Sequence, residues 1–296
     1  MNPDPITFAL DERNLAHVLA ALALAGIADS LDSPNLNSRC WWAEDGINFQ
    51  ITQTKEKLLS EAHEFVKSIA WIDGIGSDEK RAIKASPHHG LFTAKNGHCG
   101  NPLLSYHDQG TTSSVFKTFS GQQSPATPLT RQQSSLKAPM DTADWLLQSG
   151  KGVTSWKFDC RVASHAYDLG FSSNEDQSRE LDPFYPAIEL LSIAGAAFFA
   201  GPQAWLLHAE SLGYCIWQKP IPVHLASLAA TIVPPPPNKR DQANSKKQTT
   251  RYELKSLLDG IDCRYYRATP RGSSYGKGAS YNHFPEATLI TQPITK

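Results

Sequence analysis

Asn14-Leu15-Ala16-His17-Val18-Leu19-Ala20-Ala21-Leu22-Ala23-Leu24-Ala25-Gly26-Ile27-Ala28-Asp29-Ser30-Leu31 is the stretch that decides the fold class. Leu15, Val18, Leu19, Leu22, Ile27 and Leu31 recur at helical spacing among alanines, and Asp11 or Asn14 supplies an N-cap. Immediately upstream, Ile6 to Leu10 alternates apolar and polar residues like a short strand. Downstream, Cys40-Trp41-Trp42 and Ile47-Asn48-Phe49-Gln50-Ile51 flank Glu44-Asp45-Gly46, the pattern of a β-hairpin with an Asp-Gly turn. Thr54 to Ile69 then reads as a second amphipathic helix capped by Thr54. A strand, a helix, a hairpin and a helix in succession predict a mixed α+β protein.

The rest of the chain is read outward from this block. Gly74, Gly76, Pro87, Gly90, Gly97, Gly100 and Pro102 punctuate a loose region leading into a polar segment at about 105–137. Residues 124–136 are helical in part, limited by Pro125 and Pro128, and residues 141–148 form a short capped helix. Asp182-Pro183 opens the clearest helix of the second half, with Pro183 and Pro186 in its first turn ahead of Ile188, Leu190, Leu191 and Ile193. Tyr214-Cys215-Ile216-Trp217 reads as a strand and residues 223–232 as a helix, followed by a polyproline stop at Pro234 to Pro237. Residues 251–258 and 262–268 are expected to pair as closing strands, and the Gly/Ser-rich stretch 270–278 to be a flexible tail. The expected organisation is an N-terminal α/β region, 1–150, carrying the polar loop. A mainly helical region, 151–296, follows it and ends in a basic segment.

Composition narrows the function classes. With 296 residues, 40% of them hydrophobic, the chain can bury a substantial core. A formal net charge of −1 excludes a general polyanion binder, so any nucleic-acid surface must arise from local asymmetry. Between Lys239 and Lys277, ten basic residues (Lys239, Arg240, Lys246, Lys247, Arg251, Lys255, Arg264, Arg267, Arg271 and Lys277) stand against four acidic ones, a net of +6. The five cysteines are scattered without a CxxC pair, and His98-Cys99 lacks a second ligand pair at zinc-finger spacing. Neither a metal nor a cofactor is expected. The first residues are acidic and Pro-containing, unlike a signal peptide, and the apolar run around 190–200 is too short to span a bilayer. A cytoplasmic protein is expected.

Residues 105–137 are dense in Ser, Thr and Gln and hold only three lysines or arginines. A compact protein seldom keeps so long a polar connection without a use for it. Its centre, Lys117-Thr118-Phe119-Ser120-Gly121-Gln122-Gln123, matches neither a Walker motif nor a GxGxxG loop. Amide and hydroxyl groups with one aromatic ring and a few cations suit contact with phosphates and base edges better than proton transfer. His88-His89 lacks an acidic partner at ligand spacing, and Lys80, Arg81, Lys84 and Lys95 beside it favour a phosphate-contacting surface. Asp159 and Arg161 share one face of a strand, as a structural ion pair does. Glu189, on an otherwise apolar helix, is the best candidate for a buried charge. No Ser-His-Asp set, paired acids or metal cluster stands out, and the sequence speaks against an enzyme.

Several phrases, in order, resemble one family: the type I-U (I-G) CRISPR-associated proteins that form a large-subunit-like component of a Cascade effector complex. They are the opening strand and helix with Trp41-Trp42; Pro102-Leu103 with the Lys117 to Gln123 phrase; and Phe158-Asp159-Cys160-Arg161 with Asp168 to Ser172. After these come Tyr185-Pro186-Ala187-Ile188-Glu189-Leu190-Leu191 with Gly195, Trp217-Gln218-Lys219-Pro220-Ile221-Pro222, and the stretch ending Tyr266-Arg267-Ala268. Where the family has a tryptophan-rich strand before the lysine-threonine phrase, this chain has Ser105-Tyr106-His107.

The resemblance implies a non-catalytic subunit of an antiviral ribonucleoprotein complex. Such a subunit recognises the protospacer-adjacent motif, steadies the opened target DNA and helps to dock the helicase-nuclease. Its implied partners are the guide RNA, double-stranded target DNA, and the backbone and guide-end-capping subunits of Cascade. Lys117, Gln122, Gln123 and Asn101 would then approach the motif, with Phe119 wedging or stacking at the first opened pair. Lys80, Arg81, Lys84, Arg131 and Lys137 would hold phosphates, together with Lys239, Arg240, Lys246, Lys247, Arg251, Arg264, Arg267 and Arg271. The alternative within the same context is a guide-RNA-binding or RNA-processing subunit, with His88 or His89 as general base on a 2′-hydroxyl.

Overall fold

Alternation in the first strands builds a sheet with one buried face. The computed structural model describes residues 3–32, 37–73, 90–94, 126–139, 143–150, 185–198, 206–208, 211–231, 262–268, 271–275, 279–283 and 286–290. Strands β1 (Pro5–Phe8), β2 (Arg39–Trp42) and β3 (Phe49–Thr52) join the two-residue β8 (Ile221–Pro222) in the antiparallel order β1-β3-β2-β8. The register places Ile6 opposite Ile51, Phe8 opposite Phe49, and Cys40 opposite both Ile51 and Ile221. All of these are buried, whereas Thr7, Gln50 and Trp41 on the other face are not. A strand reading HPHP needs this arrangement, because successive side chains leave opposite faces. The hairpin between β2 and β3 turns on Gly46 at φ +72°, where glycine avoids the Cβ clash.

Helix α1 (Leu15–Leu31) covers the buried face. Asn14 caps it, its side-chain oxygen accepting the Ala16 amide at 3.1 Å. Thirteen of its seventeen residues are buried, so α1 is a central helix surrounded by protein. Helix α2 (Lys55–Ser68) is amphipathic and buries Leu58, Leu59, Ala62, Phe65 and Val66. Thr54 occupies its N-cap position but makes no side-chain capping bond; the Gln53 side chain accepts the Thr54 amide instead, at 2.8 Å. Helix α2 passes directly into β4 (Ile69–Asp73), which pairs with β5 (Gly90–Ala94). Helix α3 (Ala126–Ser135) and a 3₁₀ turn (Ala143–Leu147) follow within the regions expected to be helical.

Helix α4 (Pro186–Phe198) has Pro186 as its first residue, where the missing amide is harmless; Pro183 lies outside the described residues. It packs on α1 through small residues. A Cβ added to Gly195 would stand 1.8 Å from the Leu19 carbonyl oxygen, so the two backbones touch directly. One turn earlier, Ser192 Oγ lies 2.8 Å from the Ala16 carbonyl and 2.7 Å from that of Ile188, and its single proton serves one of them at a time. The pairs 16–192 and 19–195 advance together, so α1 and α4 run in the same direction.

The second sheet, antiparallel β12-β9-β7-β6, consists of β6 (Leu206–His208), β7 (Ser211–Trp217), β9 (Cys263–Ala268) and β12 (Thr288–Leu289). Trp217 ties it to the first sheet: its indole donates to the Cys40 carbonyl at 2.9 Å, and its ring meets Phe49 edge-on at 6.2 Å. A 3₁₀ turn (Val223–Leu225) and the short α5 (Ala226–Thr231) fill the span expected as one helix. Strand β9 has β7 and β12 as neighbours; residues 251–258, expected to pair with it, lie outside the described residues. The stretch expected to be a flexible tail instead holds β10 (Arg271–Tyr275), which pairs with β11 (Ala279–His283). The described part of 151–296 holds α4, α5, a 3₁₀ turn and strands β6 to β12. One hydrophobic cluster draws on both halves, from Phe8 and Leu19 to Ile188 and Trp217.

Gly195→Ala forces the α1 and α4 backbones apart, so we expect a loss of about 3 kcal/mol of stability, at the upper end for overpacking a core. Urea unfolding measures it, and a variant as stable as the parent would refute the close approach.

Candidate nucleic-acid interface

The polar segment leaves its C-terminal end on a firmly docked helix. Helix α3 buries Leu129 and Gln132 and exposes Thr130, Arg131 and Ser134, a split that follows its 3.6-residue period. Gln133 reaches across to the end of α2, where its Nε2 lies 3.1, 3.1 and 2.7 Å from the carbonyls of Val66, Lys67 and Ile69. Those carbonyls belong to the last turn of a helix and its exit, which have no intrahelical donors. One amide from a distant segment thus caps α2 and fixes α3. Two residues beyond α3, the Lys137 carbonyl accepts the indole N–H of buried Trp145 at 3.1 Å. Arg131 and Lys137 themselves are exposed, and the structure brings these two expected phosphate-binding cations to one docked element and its exit.

Asn101, Lys117, Phe119, Gln122 and Gln123 lie outside the described residues, as do Lys80, Arg81 and Lys84. Lys239, Arg240, Lys246, Lys247 and Arg251 lie outside them as well. Arg271 opens strand β10, opposite His283.

Arg264 requires a correction, because it is an internal ion-pair partner and not a free cation. Its Nη1 donates to Glu12 Oε1 at 2.6 Å and its Nη2 to the Glu44 carbonyl at 2.9 Å. Formal charge along the sequence cannot reveal such a partner, which stands 252 positions away. Arg267 is half-buried, and its Nε meets no hydrogen-bond acceptor among the described residues, so it too differs from a solvated phosphate contact.

Glu12 is the residue that the sequence pattern gave no reason to single out. It lies in the corner between β1 and α1 with its side chain only 5% exposed. Oε1 also accepts the Tyr266 hydroxyl at 2.6 Å, while the Glu12 carbonyl accepts the Tyr214 hydroxyl at 2.8 Å. The Glu12 amide donates to the Gly46 carbonyl at 2.8 Å. A Cβ on Gly46 would stand 2.7 Å from Glu12 Oε1, so glycine serves both the turn and the approach of the carboxylate. Tyr214 and Tyr266 stack with ring centroids 5.6 Å apart. The next residue, Arg13, pairs with Asp11 and Glu286, and its carbonyl accepts the Ala287 amide at 2.8 Å. Burial raises the Tyr266 phenol, and the Glu12 hydrogen bond and charge raise it further, so it stays protonated. Burial opposes the charge of Arg264, yet the bond to Glu12 and its charge hold that guanidinium above the ordinary arginine value. Both donors converge on Oε1, while Oε2 is buried and meets no hydrogen-bond donor among the described residues; through Oε1 the carboxylate joins the start of α1 to β9.

A cleft of about 610 Å³ beside β1 and the start of α2 is lined by Asp4, Ile6, Gln53, Lys55 and Asp144, among others. Gln53 is already engaged with Ser38 and with the Thr54 amide. The described residues contain no group of three or more His, Cys, Asp or Glu able to hold a metal ion. They also contain no helix long and apolar enough to cross a membrane. Compared with protein-family models, curated proteins and solved structures, the chain matches none.

Glu12→Gln leaves Arg264 without its counter-charge. Because Arg264 is 31% exposed, we expect about 2 kcal/mol of destabilisation, less than for a fully buried pair. Tyr266→Phe should lose about 1 kcal/mol, for one hydrogen bond. Denaturant titration of both variants checks the order, and an undiminished Glu12→Gln would remove the joint.

His63 gives a pH dependence. It meets Trp145 edge-on at 6.0 Å; burial first, and Lys67 second, hold its imidazole below the ordinary histidine value, with Glu64 opposing. The unfolded chain therefore takes up the proton at higher pH than the folded one. The contribution is complete above the unfolded value of about 6.5 and fades as pH falls through the lower folded value. We expect the urea midpoint to drop between about pH 7 and pH 5, and to drop less in His63→Gln.

Proposed function

We propose that this chain is a non-catalytic subunit of an RNA-guided CRISPR Cascade complex of type I-U (I-G), acting in the cytoplasm. It recognises the motif beside the target, steadies the opened DNA and helps to seat the helicase-nuclease. The ordered series of family-like phrases, from Trp41-Trp42 to Tyr266-Arg267-Ala268, supports the context. The observation that carries the local role is the anchoring of α3: Gln133 and Lys137 pin the end of the polar segment to the core while Arg131 and the Lys137 side chain remain exposed. A recognition loop needs this combination, since reading base edges with a few amides requires a firm base and phosphate contacts that fix register.

In this reading Gln122, Gln123, Lys117 and Asn101 approach base edges, and Phe119 stacks at the first opened pair. Lys80, Arg81, Lys84, Arg131 and Lys137 hold phosphates, and the Lys239 to Arg251 cations add a second basic region. Arg264 drops out of that set, because Glu12 neutralises it. Guide RNA, duplex target and the other Cascade subunits are the partners.

The test is target binding by the assembled complex carrying Gln122→Ala and Gln123→Ala. We expect motif preference to fall roughly tenfold or more, the discrimination one or two amide–base contacts provide. Wild-type affinity and motif preference together would sink the assignment of the loop.

A further inference from the structure

We propose that the β10–β11 ribbon is a binding arm for single-stranded nucleic acid, a role separate from motif reading by the polar segment. The antiparallel register pairs Arg271 with His283, Ser273 with Tyr281 and Tyr275 with Ala279. Directly paired residues share a face, so Arg271, His283, Tyr275 and Tyr281 belong to one face of the ribbon, with Ser273 and Ala279. Gly272, Ser274, Ser280 and Asn282 belong to the other. One face thus combines two aromatic residues with an arginine and a histidine, and the opposite face is small and polar. Tyr275 and Tyr281 occupy diagonal positions, which lie about 7–8 Å apart in an antiparallel pair, a spacing that serves two neighbouring stacked bases.

Three observations select the occupant. Charge is the first: from Cys263 to His283 the sequence holds four lysines or arginines and no aspartate or glutamate, in a chain of net charge −1. Of those four, Arg264 is committed to Glu12 and Arg267 is half-buried, which leaves Arg271 on the ribbon itself; Lys277 lies outside the described residues. Apolar content is the second. No Val, Ile, Leu, Met, Phe or Trp occurs from Arg271 to His283, so the ribbon offers a protein partner little hydrophobic area. Tyrosine with arginine instead suits bases and phosphates, because every base has a π-face and every nucleotide a charge. Isolation is the third: among the described elements, neither strand packs extensively on anything but the other. A lone two-stranded hairpin is marginally stable in water, so a partner covering one face completes its stabilisation.

The experiment uses the full chain without guide or other subunits. Fluorescence anisotropy follows labelled single-stranded RNA, single-stranded DNA of the same sequence, and the matching duplex. We expect a single strand to bind more tightly than the duplex, with the RNA and DNA arms identifying which strand is the ligand. Tyr275→Ala with Tyr281→Ala should weaken single-strand binding roughly tenfold or more, as loss of stacking predicts. Tyr275→Phe with Tyr281→Phe keeps the rings and should bind within about threefold of the parent. The idea fails if the parent prefers duplex, if the alanine pair binds like the parent, or if the phenylalanine pair is as weak as the alanine pair. Because the assay contains no guide or adjacent motif, its outcome is independent of the recognition-loop reading.

Discussion

Backbone contact between α1 and α4 at Leu19 and Gly195 sets the spacing of everything around it. Helices normally stand 8–10 Å apart with side chains between them. Here the side chain is missing on one helix, and α4 settles against the carbonyls of α1, with Ser192 supplying a hydroxyl to the same ridge. The first sheet, α2 and the 3₁₀ turn before α5 then close around α1, which explains why a helix only seventeen residues long is buried on nearly all sides. Tight approach of this kind gains dispersion energy and weak Cα–H···O contacts, and it tolerates no substitution that adds volume.

The Glu12 corner does for the sheets what Gly195 does for the helices. A carboxylate placed where the first strand turns into the first helix collects donors from β9 and holds the hairpin turn at Gly46, while its carbonyl receives a donor from β7. The chain's last described segment returns to the same corner through Ala287 and Glu286. Its partners come from the two ends of the sequence, so the corner forms only when the fold is nearly complete.

Local pattern made α1, the hairpin, α2, α4 and β7 readable. Each announces itself through periodicity, a cap or a turn residue within a few positions, as Asn14 and Asp45-Gly46 illustrate. What the sequence hid depends on distant partners. Glu12 looked like one more acidic loop residue, and Arg264 like one more member of a basic run; neither charge records the other. The β10–β11 ribbon was hidden for another reason. Glycine and serine weaken intrinsic strand preference, so its pairing is visible only in the register itself. Of the candidate interface, Arg131 and Lys137 were legible as charges, whereas the Gln133 clamp that gives them a fixed base needed the end of α2 to be seen.

Two helices lying side by side in the same direction also add their electric fields. Each peptide array leaves roughly half a positive charge at its N-terminal end, and parallel packing puts both of these poles together. Acidic residues gather at that end of the molecule: Asp11 and Glu12 just ahead of α1, and fully buried Glu189 in the first turn of α4. The repulsion between like poles, which would push parallel helices apart, becomes a favourable potential for carboxylates. At that pole Asp11 and Glu12 come with their own cations, Arg13 and Arg264, so the start of α1 meets ion pairs and not bare carboxylates.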